Sequence, residues 1–253
     1  MGNIGLQLWS VKEEIEKDLL RALEKVAEIG YKGVQFAGFF NQSSKNVKEK
    51  MDELGIHCTG AHVSYDLLRN ELDQTMKYHE ELGNDTIILP WVPEELRSKA
   101  EDYERLAEFL DKTGEILYTR GFTLGYHNHD FEFDIFNGMS GLDIIFENTD
   151  SNHLKMELDC YWVSYTGNNP MEVMEKYKDR CVSLHIKDMK KTDNGAVSTE
   201  LGTGMLPLAN YMKKGKEIGV KMFIVEQEHF TKNPLECAQT NLQHIKQLNE
   251  QSR

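Results

Sequence analysis

Cysteine is scarce in this chain, with four residues in 253, and there are only five prolines. Cys58, Cys160, Cys181 and Cys237 lie far apart, and none belongs to a Cys-x-x-Cys pair. That pattern excludes a disulfide-stapled fold and points to a reducing cytoplasm. Positive charge is short as well: 29 Lys and Arg stand against 42 Asp and Glu, a formal net charge of -13. No block of Lys or Arg offers the basic face that nucleic-acid backbones require, so no nucleic-acid partner is expected. No apolar run approaches the roughly 18 residues of a membrane span, and the N-terminal MGNIGLQLWS lacks the basic-then-apolar profile of a secretion signal. There is no Gly-x-Gly-x-x-Gly turn after the first apolar run and no Walker-type GK[ST], which counts against a dinucleotide fold and a phosphate loop.

What the chain does have is alternation from end to end. Apolar strand patterns occur at about 4–9, 33–38, 56–63, 85–90, 122–129, 154–159, 182–188 and 221–226. Helix patterns fall between them, at about 17–29, 44–54, 67–83, 98–120, 140–148, 170–178, 206–218 and 234–249, with Gly30, Gly83 and Gly121 as stop signals. No Ser/Gly/Pro linker divides the series. Eight strand–helix units in a chain of this length predict an α/β fold: one (β/α)8 TIM barrel domain over residues 1–253. Such barrels place their chemistry at the C-terminal ends of the strands.

Strand side chains alternate between two faces. In LKMELD (154–159), Leu154, Met156 and Leu158 take one face, and Lys155, Glu157 and Asp159 the other. In VSLHIKD (182–188), Ser183, His185 and Lys187 share the polar face, and MFIVE (222–226) ends on Glu226. The same count turns Gln7, Trp9, Gln35, His62, His127 and His129 inward. Taken singly, Asp159 reads equally as a helix cap, His185 as a core histidine and Glu226 as a solvated strand end. Taken together, Asp, His and Glu at one end of consecutive strands form a ligand set for a divalent metal ion. Polar ends crowded on one rim are costly unless they are paired or ligate something.

The stretches LQLWSV, GAHVS (60–64), YHNHDFEF (126–133), ELDCYW (157–162), LHIKD (184–188), LGTGMLP (201–207) and IVEQE (224–228) carry a resemblance along the full length. The chain resembles the xylose-isomerase-like barrel superfamily of sugar phosphate isomerases and epimerases, in its YHNH-containing keto-sugar branch. That resemblance implies a metal site of Asp159, His185 and Glu226. The fourth ligand, a Glu ending strand five in many members, is replaced here by Tyr126-His127-Asn128-His129. Either Glu132 folds back as the ligand, which a bulge would permit, or His127 takes the place, which strict alternation favours. A set with Glu132 suits Mn²⁺ best, with Mg²⁺, Co²⁺ or Zn²⁺ as alternatives.

The implied activity is that of a metal-dependent isomerase or epimerase. A proton leaves the carbon next to the carbonyl of a keto-sugar or related polyol, and the metal stabilises the ene-diolate. Glu226 and a histidine among His62, His127 and His129 would be the acid/base groups. Gln7, Trp9, Trp162, Lys187 and Glu200 would contact the sugar, with Lys187 bonding a hydroxyl or neutralising the carboxylates. The loop after strand seven would act as a lid. The same site would serve a dehydratase or lyase of a keto-inositol or keto-glycoside, and a barrel without turnover would be a sugar-binding protein. An abasic-site nuclease would need a basic face that this chain lacks. A cytoplasmic enzyme with a small-molecule partner, no membrane association and a homodimeric assembly completes the expectation.

Overall fold

The computed structural model describes residues 4–193 and 195–251; the ends of the expected 1–253 domain and Asn194 lie outside them. Each expected strand run contributes a strand: β1 (Ile4–Gln7), β2 (Gly33–Phe36), β3 (His57–His62), β4 (Thr86–Leu89), β5 (Thr123–His127), β6 (Lys155–Asp159), β7 (Cys181–Ile186) and β8 (Met222–Val225). Every strand pairs in parallel with its sequence neighbours, and β8 closes on β1, giving a closed barrel. Each strand leads to a helix of the outer layer: α1 (Leu19–Ile29), α2 (Ser44–Leu54), α3 (Leu72–Leu82), α4 (Ala100–Thr119), α5 (Gly141–Glu147), α6 (Pro170–Lys176), α7 (Leu208–Glu217) and α8 (Pro234–Gln251).

Local chemistry sets the helix ends. Asp18, Ser43 and Ser140 accept backbone N–H groups at the starts of α1, α2 and α5, as short polar side chains at that position do. The expected stops Gly30 and Gly83 adopt the left-handed conformation just past α1 and α3. The outward strand residues Leu6, Val34, Leu124, Tyr126, Met156, Leu158, Leu184, Ile186 and Val225 are fully buried beneath the helices. Burying each contributes about 1.5–3 kcal/mol relative to exposure. On the inner face Gly5, Gly60 and Gly125 leave room for the side chains of Thr59, Ile88 and Ile224, which fill the barrel below the site.

Two departures from the sequence reading shape the rim. β1 ends at Gln7, and Leu8–Val11 form a 3₁₀ turn, so Trp9 leaves the barrel interior and stands half exposed at the mouth. The long segment after β7 contains an antiparallel hairpin pairing Asp188–Thr192 with Gly195–Thr199, where the sequence suggested an exposed loop acting as a lid.

Candidate metal centre

The barrel register brings the polar strand ends to one level. His127 sits beside Glu157 in the β5–β6 pairing, and Asp159 sits beside His185 in the β6–β7 pairing. Glu226 follows β8 directly, where its N–H donates to the Ile186 carbonyl. As a result His127, Asp159, His185 and Glu226 offer four ligand atoms that lie within 4.8 Å of one another, all on buried residues. A second, overlapping group of His62, His127, Glu157 and His185 lies at the same spacing.

The hydrogen bonding around His185 tests whether a cation fits. Its Nε2 faces two acceptors, Gln35 Oε1 at 2.8 Å and Glu157 Oε1 at 3.0 Å, so this nitrogen carries the hydrogen. Its Nδ1 then faces another acceptor, Glu226 Oε2, at 3.1 Å. Two acceptors at that separation require a cation, either a proton on the ring or a metal ion. Asp159 divides its carboxylate: Oδ1 accepts the N–H groups of Tyr161 and Trp162, while buried Oδ2 is turned into the cluster, 3.2 Å from the Lys187 ammonium. Two imidazoles and two carboxylates are a donor set that first-row divalent ions accept.

Lys187 supplies positive charge to the same place. It is fully buried, with Nζ 3.2 Å from Asp159 Oδ2, 3.0 Å from Glu226 Oε2 and 3.1 Å from Glu228 Oε1. Burial opposes its charge, yet the three carboxylates hold its pKa above the ordinary lysine value. Burial likewise opposes ionisation of Glu226, but Lys187 and His185 hold it well below the carboxylate range. Burial disfavours a charged His185, and Glu157 and Glu226 outweigh it to raise the ring to about 10. His127 shifts the other way, lowered by burial and by the neighbouring His185. Burial raises Glu228 despite its contact with Lys187.

Above the cluster a cavity of about 530 Å³ opens to solvent. Its floor carries His62, His127, His129, Glu226 and Glu228, and its walls carry Trp9, Leu67, Pro90 and Trp91. Of the residues expected to act, Glu226, His62 and His127 line the floor, and Asp159 and His185 lie in the buried cluster beneath it. His129 stands beside them, its ring centroid 5.0 Å from that of His127.

Glu132 does not join them. It is fully buried on the outer side of β5, where its Oε1 accepts from the Tyr126 hydroxyl at 2.7 Å and its Oε2 from the His129 N–H at 2.7 Å. Tyr126 points away from the barrel axis, so the carboxylate bound to it does too, and His127 occupies the corresponding place in the cluster. Glu200 is also elsewhere: its Oε1 accepts from Cys237 Sγ at 3.4 Å, and it does not line the cavity. Gln7 lies below the floor, donating to Gln35 at 2.7 Å, and Trp162 packs beside Lys187 and His129. Two participants had no role in the sequence reading, although a count by twos along the chain reaches both. Glu157 is one pleat before Asp159, and Glu228 is two residues after Glu226.

The chain is thus a closed (β/α)8 barrel with a buried histidine–carboxylate cluster at its C-terminal mouth. The chain belongs to the xylose isomerase-like TIM barrel family, whose model matches residues 23–248. An inosose dehydratase of Clostridium botulinum (strain Alaska E43 / Type E3) is 23% identical over 273 positions, covering 92% of this chain and 90% of that protein. A sugar phosphate isomerase/epimerase from Parabacteroides distasonis ATCC 8503 superposes with a TM-score of 0.80 at 26% identity, over 97% of this chain and 94% of that one. An IOLI protein with a bound zinc atom superposes with a TM-score of 0.73 at 14% identity, covering 97% of each chain. No helix among the described residues is long and apolar enough to cross a membrane.

Proposed function

We propose that this chain is a divalent-metal-dependent enzyme that removes a proton from the carbon next to the carbonyl of a keto-sugar or keto-polyol, with isomerisation or epimerisation as the outcome. The observation that carries this reading is the convergence of His127, Asp159, His185 and Glu226, whose ligand atoms lie within 4.8 Å of one another, with His185 Nδ1 and Glu226 Oε2 opposed at 3.1 Å. His127, Asp159, His185 and Glu226 would hold the ion. When bound, the ion supplies Lewis acidity toward two neighbouring substrate oxygens. The Mn²⁺ preference argued from a third carboxylate weakens with His127 in place of Glu132, because imidazole also suits Zn²⁺ and Co²⁺.

The residues divide the remaining work. Glu226, held ionised by Lys187 and His185, accepts the proton from carbon on one side of the cavity. His62 reaches in from β3, three strands away round the barrel from β8, and its ring forms part of the cavity floor, with Nε2 turned to Glu157 and Nδ1 to Gln7. His129, which burial and the neighbouring His127 hold well below the ordinary histidine range, serves as a neutral partner for a hydroxyl. Trp9 and Trp91 offer flat apolar surface to a ring face, and Glu228 lines the same cavity beside Lys187.

A second reading has its own support in the relative named inosose dehydratase. The same deprotonation followed by departure of a β-hydroxyl as water gives a dehydratase, and a β-alkoxide leaving group gives a lyase. One experiment separates them: a panel of keto-sugars and keto-inositols in D₂O with the protein and Mn²⁺ or Zn²⁺. Deuterium at one carbon with mass otherwise retained supports epimerase or isomerase chemistry, and a product lighter by one water supports the dehydratase. Sugar binding with metal present but no exchange on any substrate overturns proton abstraction and leaves a binding protein.

A further inference from the structure

The floor beneath the cluster is organised around one side chain that is buried to 0% exposure and touches no cavity space, Glu157. Its Oε1 lies 2.8 Å from His62 Nε2, 3.0 Å from His185 Nε2 and 3.3 Å from His127 Nδ1. The first two are close, donor-to-acceptor contacts; the third is a looser electrostatic approach, and His127 Nδ1 has no hydrogen-bond partner. Its Oε2 accepts from Gln35 Nε2 at 2.6 Å and from Ser183 Oγ at 2.8 Å. An ionised carboxylate only accepts, so every ring nitrogen turned toward it must carry a hydrogen.

The opposite nitrogens are disposed accordingly. His62 Nδ1 lies 3.3 Å from the Gln7 side-chain amide, a donor, as an unprotonated nitrogen requires. His185 Nδ1 points to Glu226 Oε2, and His127 Nε2 lies 3.9 Å from Asp159 Oδ2, both toward the candidate ion position. Gln7 and Gln35 extend the chain of donors, since Gln7 Nε2 donates to Gln35 Oε1 at 2.7 Å and so fixes which way the Gln35 amide faces.

We propose that Glu157 is a positioning residue whose single buried oxygen fixes the tautomers of His62, His127 and His185. It thereby leaves His127 Nε2 and His185 Nδ1 as lone-pair donors to a divalent ion and His62 Nδ1 as an acceptor. This rests on the metal-dependent reading above and deepens it. A carboxylate behind a metal-bound histidine is a recurrent device for orienting the ring; here one carboxylate holds two rings closely and faces a third, on three different strands. It also decides between the two overlapping ligand groups. Glu157 stands behind the ion and does not bind it, so the group containing Asp159 and Glu226 takes the metal.

The test is Zn²⁺ affinity by competition with a chromophoric chelator, together with nitrogen-15 NMR of the histidine rings in the Zn²⁺-loaded protein. In the wild type, His62 and His185 are expected as Nε2–H tautomers and His127 as the Nδ1–H tautomer. Glu157→Gln, which turns a donor toward one ring in place of an acceptor, is expected to weaken Zn²⁺ about 10- to 100-fold and to mix the tautomers while the cooperative thermal transition persists. Asp159→Asn should cost at least as much affinity and leave the His62 tautomer unchanged. Zn²⁺ affinity of Glu157→Gln within twofold of wild type would overturn the proposal, as would retention of binding in Asp159→Asn with its loss in Glu157→Gln. If Glu157→Gln does not fold, the wild-type spectrum decides alone, and an Nδ1–H tautomer at His185 refutes the role. Absence of Zn²⁺ binding by the wild type would instead remove the metal-dependent reading itself.

Discussion

Glu132 and Glu157 are both fully buried carboxylates, yet their surroundings drive them in opposite directions. Burial is resisted at Glu157 by three histidines, which hold it well below the usual range. At Glu132 burial dominates over the Tyr126 and His129 donors and pushes the carboxyl up to about 7. Between its ordinary value and about 7 the folded protein then binds a proton at Glu132 that the unfolded chain has released. Stability therefore falls as pH rises through that window and levels off above it. The difference amounts to on the order of 3 kcal/mol at 1.36 kcal/mol per unit. Chemical denaturation at pH 5 and pH 8 should show a smaller drop in Glu132→Gln than in the wild type; an unchanged drop would place the titration elsewhere. At Glu226 the expectation concerns chemistry. Glu226→Gln should slow deuterium exchange into a reactive keto-sugar by about 10²–10⁴-fold, measured by NMR, in a protein whose thermal transition persists. Residue identity was legible where parity was strict, at Asp159 and His185. The alternative of Glu132 set parity aside for a bulge that would fold it back; the chain instead leaves the barrel after His127 and turns outward through Phe131–Phe133, and His127, which strict alternation favoured, stands in the cluster.

The segment after β7 shows what a local pattern does not reveal. Asp188 Oδ1 accepts the N–H groups of Met189 and Leu206, and its Oδ2 those of Gly202 and Gly204. One buried side chain thus ties down a turn up to 18 residues away. The glycines permit the approach, since a Cβ on Gly204 would stand 2.3 Å from Asp188 Oδ1 and 2.4 Å from the Met189 carbonyl. Asp188→Asn turns an amide donor toward two N–H donors and should destabilise the protein by about 3 kcal/mol, as loss of charge-assisted hydrogen bonds does. Urea denaturation measures this, and a loss below about 0.5 kcal/mol would mean the turn holds without the carboxylate. The sequence reading of a free lid rested on glycine and polar content. The tie depends on contacts across 14 to 18 residues, which composition does not encode. Helix boundaries were legible where caps announced them, as at Ser43 and Gly83.

At the scale of the whole barrel, the eight-fold alternation was enough to predict closure, because a parallel sheet with helices after every strand has few other ways to bury both faces. The extent of β1 was not predictable in the same way, since LW continues the apolar pattern into a turn. An ion bound only by the folded barrel stabilises it by mass action, about 2.7 kcal/mol at a hundredfold excess over Kd. The thermal midpoint should accordingly rise when Zn²⁺ or Mn²⁺ is added to chelator-treated protein and fall back with chelator. No shift with either ion would argue against a tight site formed on folding.

Asp159 joins two of these scales. The oxygen that starts the helix Cys160–Tyr165 and the oxygen that faces Lys187 belong to one rigid planar group. The Trp162 ring, 5.2 Å from the Lys187 ammonium that pairs with the same carboxylate, should report by a change of indole emission when an ion enters chelator-treated protein.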